Sequence, residues 1–176
     1  MFSMAIFKAT YTNKAAAAKG NIRYIENRPG KDRAKIIRDL WGIDGKMERL
    51  EAYQMIDEAE KGSLFYRLVI NLDAEKEDTH KDVYIRDVAE QTILGLENRF
   101  GQPVQWVAAT HADHTPLRHV HILAILPKRL QVQDLKALRQ IATDAALEQR
   151  RELDKVLARK QEQKKKEQEA QWELQR

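Results

Sequence analysis

Apolar residues along this chain recur at two spacings, and the change from one to the other marks its elements. AIFKATYT alternates apolar and polar positions, which predicts a short strand. AAAAKGNIRYIENRPG is a helix former stopped by Arg28, Pro29 and Gly30. GKDRAKIIRDLWGIDG is basic and bounded by glycines, and it reads as an irregular or short helical excursion. MERLEAYQMIDEAEKG is helical: Met47, Leu50, Tyr53 or Gln54, and Ile56 or Asp57 fall near a 3.6-residue period, and Gly62 ends it. SLFYRLVINL mixes β-branched and aromatic residues and is a strand. VYIRDVAEQTILGLENRFG is the next helix, with Thr79 or Asp82 as its cap. Val83, Val88, Ile93, Leu94 and Leu96 form its buried stripe, and Gly101 closes it. QPVQWVAAT and VHILAILP are two further strands around a polar loop, and a last helix begins near Gln133.

The order β–α–(α)–α–β–α–β–β–α predicts an α+β fold. Its central antiparallel sheet carries the last two strands as a hairpin with the histidines on one face, helices pack mainly on the other, and a long helix ends the chain. A length of 176 residues and a hydrophobic fraction of 43% suit one domain with an appendage. The character changes after about Glu148, which divides the chain into a domain over 1–147 and a charged helical tail over 148–176. That tail interleaves both charge signs and lacks Gly and Pro. It reads as a solvated helix held by i,i+4 ion pairs, or as a nucleic-acid-contacting or linker helix toward a further C-terminal region.

Composition narrows the classes. No apolar run is long enough to span a membrane, so no membrane insertion is expected. MFSMAIFKATY lacks the apolar core and cleavage site of a signal peptide. The absence of cysteine fits a cytoplasmic protein and excludes disulfides and thiolate metal sites. A net charge of +4 is compatible with a nucleic-acid partner without requiring one.

Chemistry enters through the histidines, four of whose five lie in THADHTPLRHVHILAIL. A hairpin with its turn at His114–Arg118 pairs Asp113 with His119 and sets His111 opposite His121. Side chains alternate along a strand, so His111, Asp113, His119 and His121 then project from one face. Val120, Ile122, Ala124, Trp106 and Ala108 fall on the other. Directly opposed Cα atoms lie about 4.5–5.5 Å apart, close enough for imidazoles to converge on one ion. A lone strand histidine is ordinarily a packed or surface residue, but three on one face are costly to desolvate without an ion or a charged partner. A closed structural zinc site would want a fourth ligand, usually Cys. Three histidines instead leave a coordination position open, as catalytic sites do. They hold manganese or zinc better than magnesium. No G-x-S-x-G, Walker A, H-E-x-x-H or EF-hand signature is present.

HADHTPLRHVH resembles the third motif of DNA relaxases, the mobilisation nucleases of conjugative elements: His-x-Asp, a short gap, then His-x-His. The likeness maps onto His111, Asp113, His119 and His121. SLFYRLVINL resembles the preceding motif, with Asn71 near the usual serine position and Ser63 a poorer fit. GNIRYIENRPG looks like the N-terminal tyrosine helix, which places the nucleophile on Tyr24. The resemblance spans Ala5 to Pro127. It implies strand-specific nicking of single-stranded or hairpin DNA at an origin of transfer through a 5′-phosphotyrosyl link. It also implies a divalent metal (manganese or magnesium in use, zinc the alternative) on His111, His119 and His121. Asp113 would accept a hydrogen bond from a ligand imidazole. Accessory relaxosome and coupling proteins are the further partners it implies. All five tyrosines precede the histidine hairpin, which is the relaxase order rather than that of rolling-circle initiators.

Alternatives remain at single residues. Tyr11, at a strand end, is the second candidate nucleophile. Tyr66 belongs to core or sheet surface, and Tyr53 and Tyr84 to amphipathic helix faces. Arg23 and Arg28 flank Tyr24 as phosphate ligands, and Lys31, Arg33, Lys35 and Arg38 extend a basic DNA-binding segment. Trp41 either stacks on a base or packs back on the core. His114 and Arg118 sit in the turn and depart from the common family spelling, and His80 lies in a polar loop apart from the metal. Two other classes compete with nicking by tyrosine: a metal-dependent hydrolase using bound water, and a non-catalytic nucleic-acid-binding domain.

Overall fold

A computed structural model describes residues 5–30, 33–112 and 117–174. Lys31, Asp113 and His114 lie outside the described residues. The elements are β1 (Ile6–Thr12), α1 (Ala15–Asn27), β2 (Leu40–Gly42), β3 (Gly45–Met47), α2 (Arg49–Asp57), β4 (Leu64–Asn71), α3 (Ile85–Phe100), β5 (Gln105–His111), β6 (His119–Leu126) and α4 (Val132–Leu174). The six strands form one antiparallel sheet in the order β1-β4-β6-β5-β2-β3. The fold is therefore α+β, with a long C-terminal helix.

β6 occupies the middle of this sheet and is buried at every position, which is why HVHILAIL reads as a continuous apolar run. Its two faces meet two separate cores. Val120, Ile122, Ala124 and Leu126 join Trp106, Ala108, Leu68 and Ile70 beneath α3 and α4. Leu123 and Ile125 join Val107, Ala109 and Phe65 beneath α1 and α2, on the face that carries the histidines. α3 and α4 approach closely at Gly95, where a Cβ would meet Ile141 Cδ1 at 2.6 Å.

Local sequence explains most boundaries. α1 buries Ala18, Ile22 and Ile25 at helical spacing, each isoleucine contributing about 1.5–3 kcal/mol. It ends where Arg28, preceding Pro29, takes an extended conformation (φ −55°, ψ 125°). α2 opens on a capping box between Glu48 and Glu51, and buries Ala52 and Ile56 while leaving Leu50 exposed. α3 closes at Gly101 with φ +68°, as its position predicts. Neither Thr79 nor Asp82 caps α3, since Tyr84 takes that place. Asp82 instead pairs with the buried Arg150 of α4. Within the predicted stripe of α3, Leu94 is exposed while its companions are buried.

The segment expected to be irregular or helical is irregular only as far as Asp39. Residues 40–47 then form the β2–β3 hairpin, turning at Ile43 and Asp44 and leaving the turn through Gly45 at φ +109°, and Trp41 pairs with Ala108 of β5. The free edge of β5 attracts this stretch, a tertiary gain that a short segment without periodicity does not reveal. α4 is continuous from Val132 to Leu174, and its packing on the core runs as far as Leu153. From Asp154 to Trp172 its side chains are exposed, with pairs such as Lys166–Glu162 and Lys165–Glu169 among them.

One ion pair anchors the start of β6. Arg118 donates to both carboxylate oxygens of Asp78, at 2.8 and 2.6 Å, and to the Val83 carbonyl at 2.6 Å. Asp78 is almost wholly buried. Removing its carboxylate strands a partly buried guanidinium, so Asp78→Ala should cost about 3 kcal/mol in chemical denaturation. A loss below about 1 kcal/mol would show the pair to be screened by solvent.

Candidate metal centre

Pairing between β5 and β6 sets His111 opposite His119 and Ala109 opposite His121. The expected register set His111 opposite His121, so the strands are slipped by two residues. β5 ends at His111 and β6 begins at His119, so residues 112–118 separate the strands where the expected turn was 114–118. A shift of two preserves the face of every side chain, and the three imidazoles still project together. Their ring centroids are 4.5, 5.0 and 5.2 Å apart, and their candidate donor atoms all lie within 4.8 Å of one another. All three residues are buried, with 0–5% exposure.

Helix α1 completes the site from above. His111 Nε2 lies 2.7 Å from the Ile25 carbonyl, so this nitrogen must carry the hydrogen and donate it. The bond fixes the tautomer that leaves Nδ1 as a lone pair, and Nδ1 is buried without a partner. His119 makes a long contact, 3.4 Å, from Nδ1 to the Leu117 carbonyl. Both ring nitrogens of His121 are buried and unpartnered. Such orphaned polar atoms cost about 1–3 kcal/mol each, and a cation taking the His111 Nδ1 lone pair and the single lone pair of His121 removes part of that cost. Burial, followed by the Arg38 charge, His119 and Arg28, lowers the His111 pKa to about 4 despite the opposing hydrogen bond to Ile25. Burial, then His111, His119, Arg67 and Arg28, lowers that of His121 to about 3. Neutral imidazole is the form that binds metal. Donor set, burial and tautomer therefore fit a metal ion on His111, His119 and His121.

Tyr24, one residue before Ile25, stands edge-on to the His121 ring at 6.3 Å between centroids and is 43% exposed. Arg28 and Arg67 place their guanidinium carbons 5.7 and 6.0 Å from the Tyr24 ring. Arg67 is a residue that motif reading missed. It projects from β4 on the histidine face, and its buried Nε has no hydrogen-bond partner. Its signal in the sequence is a single charge inside the apolar strand SLFYRLVINL. Asn71 of β4 is the cross-strand neighbour of His119, whereas Ser63 precedes β4 at the end of the sheet away from the histidines.

Other candidates fall elsewhere. Tyr11 packs on Tyr66 at 5.2 Å beneath Arg129, on the α3/α4 face, so the sheet separates it from the histidines. Tyr66 is core, and its hydroxyl accepts from the Leu130 amide. Tyr53 packs beside the core under α2, while Tyr84 is exposed rather than part of a buried helix face. Trp41 is 8% exposed, with its ring against Trp106 at 5.4 Å and under Arg86. Core packing thus claims it, and the base-stacking role does not survive. Arg38 is buried and donates to the Arg28 carbonyl at 2.6 Å, which ties the irregular segment to the end of α1 instead of offering a surface contact. Arg23, Arg33 and Lys35 are exposed. Arg118 serves the Asp78 pair, and His80 is exposed outside the triad.

The electrostatic character is plain: Arg28, Arg38 and Arg67 act on the triad, and no carboxylate among the described residues joins the ligand group. No helix among the described residues is long and apolar enough to cross a membrane. Comparison with protein-family models, characterised proteins and solved structures finds no match.

Chelator-treated protein titrated with Mn²⁺ or Zn²⁺ should bind about one ion per chain, and His121→Ala should weaken binding about 100-fold or more in calorimetry. Equal affinity in the variant would remove His121 from the ligand set. Metal-free protein should also lose thermal stability as pH falls. Unfolded imidazoles take up protons below about 6.5, whereas His111 and His121 in the fold resist until about 4 and 3. The window is therefore below about pH 6.5, and a melting temperature flat from pH 7 to 4.5 would contradict it.

Proposed function

We propose that this chain is a metal-dependent, relaxase-type nuclease that nicks one DNA strand through a covalent tyrosine intermediate. The observation that carries the reading is the half-exposed Tyr24 ring beside His121 of a buried three-histidine cluster, with two guanidinium groups within about 6 Å of it. Three neutral imidazoles contribute no negative charge, so a bound dication with Arg28, Arg38 and Arg67 nearby leaves the pocket strongly positive. An anionic ligand offsets that charge, and a phosphodiester supplies it. The buried Arg67 Nε, with no acceptor of its own, is a donor for a phosphate oxygen.

The chemistry follows from these positions. Tyr24 Oη attacks the phosphorus of a scissile phosphodiester in line, its proton passing to solvent. The bond from phosphorus to the 3′ oxygen breaks, that oxygen takes up a proton, and the 5′-phosphate remains on Tyr24. A divalent cation on His111, His119 and His121 would supply Lewis-acid polarisation of a non-bridging oxygen. Arg28 and Arg67 hold the phosphate and offset the charge that develops on it. The Ile25 carbonyl keeps the His111 ring in register with the helix that carries Tyr24. A phosphotyrosine ester conserves the energy needed to rejoin the strand, which suits transfer of a mobile element from an origin in the cytoplasm.

A panel of single-stranded oligonucleotides with Mn²⁺, resolved on denaturing gels, tests the reading. A protein–DNA adduct is expected from the wild type and from Tyr11→Phe. Tyr24→Phe should abolish it with metal binding intact. Arg67→Ala should slow it by about 10²–10³-fold, as loss of one charge-stabilising donor does. Free 5′-phosphate ends that survive Tyr24→Phe would make the protein a water-using hydrolase. No cleavage of any strand would leave a binding domain.

A further inference from the structure

On the face of the molecule away from the histidines, α3 and α4 enclose a groove of about 680 Å³. Ile141, Ala145, Leu153 and Val156 form its apolar floor, and Asp144, Glu148 and Glu152 of α4 stand on its wall. Asp87 and the exposed Tyr84 close it from the side of α3. The groove is thus apolar within and acidic at the rim, and it serves none of the chemistry proposed above.

The same helix carries the complementary surface. Groove positions on α4 recur every three or four residues: Ile141, Ala145, Glu148, Glu152 and Val156. Continued at that spacing, the face presents Arg159, Lys160, Gln163, Lys166 and Ala170, with Glu162 and Glu167 as carboxylates among them. This distal half is exposed at every described position up to Trp172. Its own globular body leaves it uncovered, which is an expensive way to hold a helix of this length unless something pairs with it.

We propose that the groove receives the distal half of α4 from a second copy of this chain, in an antiparallel helix pair. Val156 then lies on the two-fold axis against its own counterpart. Lys160 of each copy meets Glu152 of the other, and Lys166 falls between Asp144 and Glu148. One patch satisfies itself twice, as a closed two-fold interface requires. The paired helix is roughly 45 Å long, enough for the roughly 800 Å² per partner that stable dimers bury. Both triads stay on the outward faces, free to engage DNA.

Light scattering and sedimentation of the full chain from about 1 to 100 µM should give twice the mass of one chain. Glu152→Lys or Lys160→Glu should raise the dimer dissociation constant about tenfold or more, since each sets like charges together. The combined exchange Glu152→Lys with Lys160→Glu should restore it. Because the chain has no cysteine, Val156→Cys offers an independent readout: mild oxidation should link two copies, while Lys165→Cys, on the opposite side of the helix, should not. A monomer throughout the range, including one that takes up a foreign basic helix, overturns the proposal. So do single reversals without effect, a double exchange that fails to restore, or equal crosslinking at both cysteines.

Discussion

Three imidazoles held side by side out of water need something to share their lone pairs, and this requirement organises the structure around it. The antiparallel pairing of β5 with β6 brings His111 and His119 face to face, and His121 follows two residues on. The Ile25 carbonyl takes the His111 N–H and so leaves the Nδ1 lone pair of that ring for the centre. That single bond couples sheet to helix, because Ile25 is also a buried anchor of α1. The residue before it is Tyr24. Tautomer, helix position and candidate nucleophile are therefore set together, and loosening any one disturbs the other two.

Support for this arrangement comes from both sides of the sheet. Beneath the histidines, Leu123, Ile125, Val107 and Ala109 continue the same face as apolar core under α1 and α2. On the opposite face, Arg118 locks the first residues of β6 to Asp78 and Val83. The polarity of the molecule follows the same division. Arginines gather around the triad, while carboxylates line the groove between α3 and α4. A polyanion approaching this surface is drawn to one side and repelled from the other.

How much of this was legible beforehand depended on whether the signal was local. Strand alternation in QWVAATH and HVHILAIL showed which residues share a face, and that answer survived a register slip of two because the period is two. Helical spacing and Pro29 located α1, and Gly101 located the end of α3. The β2–β3 hairpin was illegible because its pairing depends on β5, more than sixty residues away in the chain. Arg67 was missed because a lone charge in an apolar strand is ambiguous until the strand has neighbours.

The sequence by itself determined that one α+β sheet would carry three histidines on a common face, because side-chain alternation is a property of the strand and needs no partner. It also supplied the exposed charges of α4 and the absence of cysteine. Only the tertiary structure decided between Tyr24 and Tyr11 as the tyrosine beside the triad, since the two lie on opposite sides of the sheet. It alone turned Trp41 into core and Arg38 into a buried tie, and it alone brought Arg67 to the phenol. The physical reason is the same in each case. Which face a residue takes is fixed by its own backbone, but what stands opposite is fixed by strands and helices that pair across long stretches of chain.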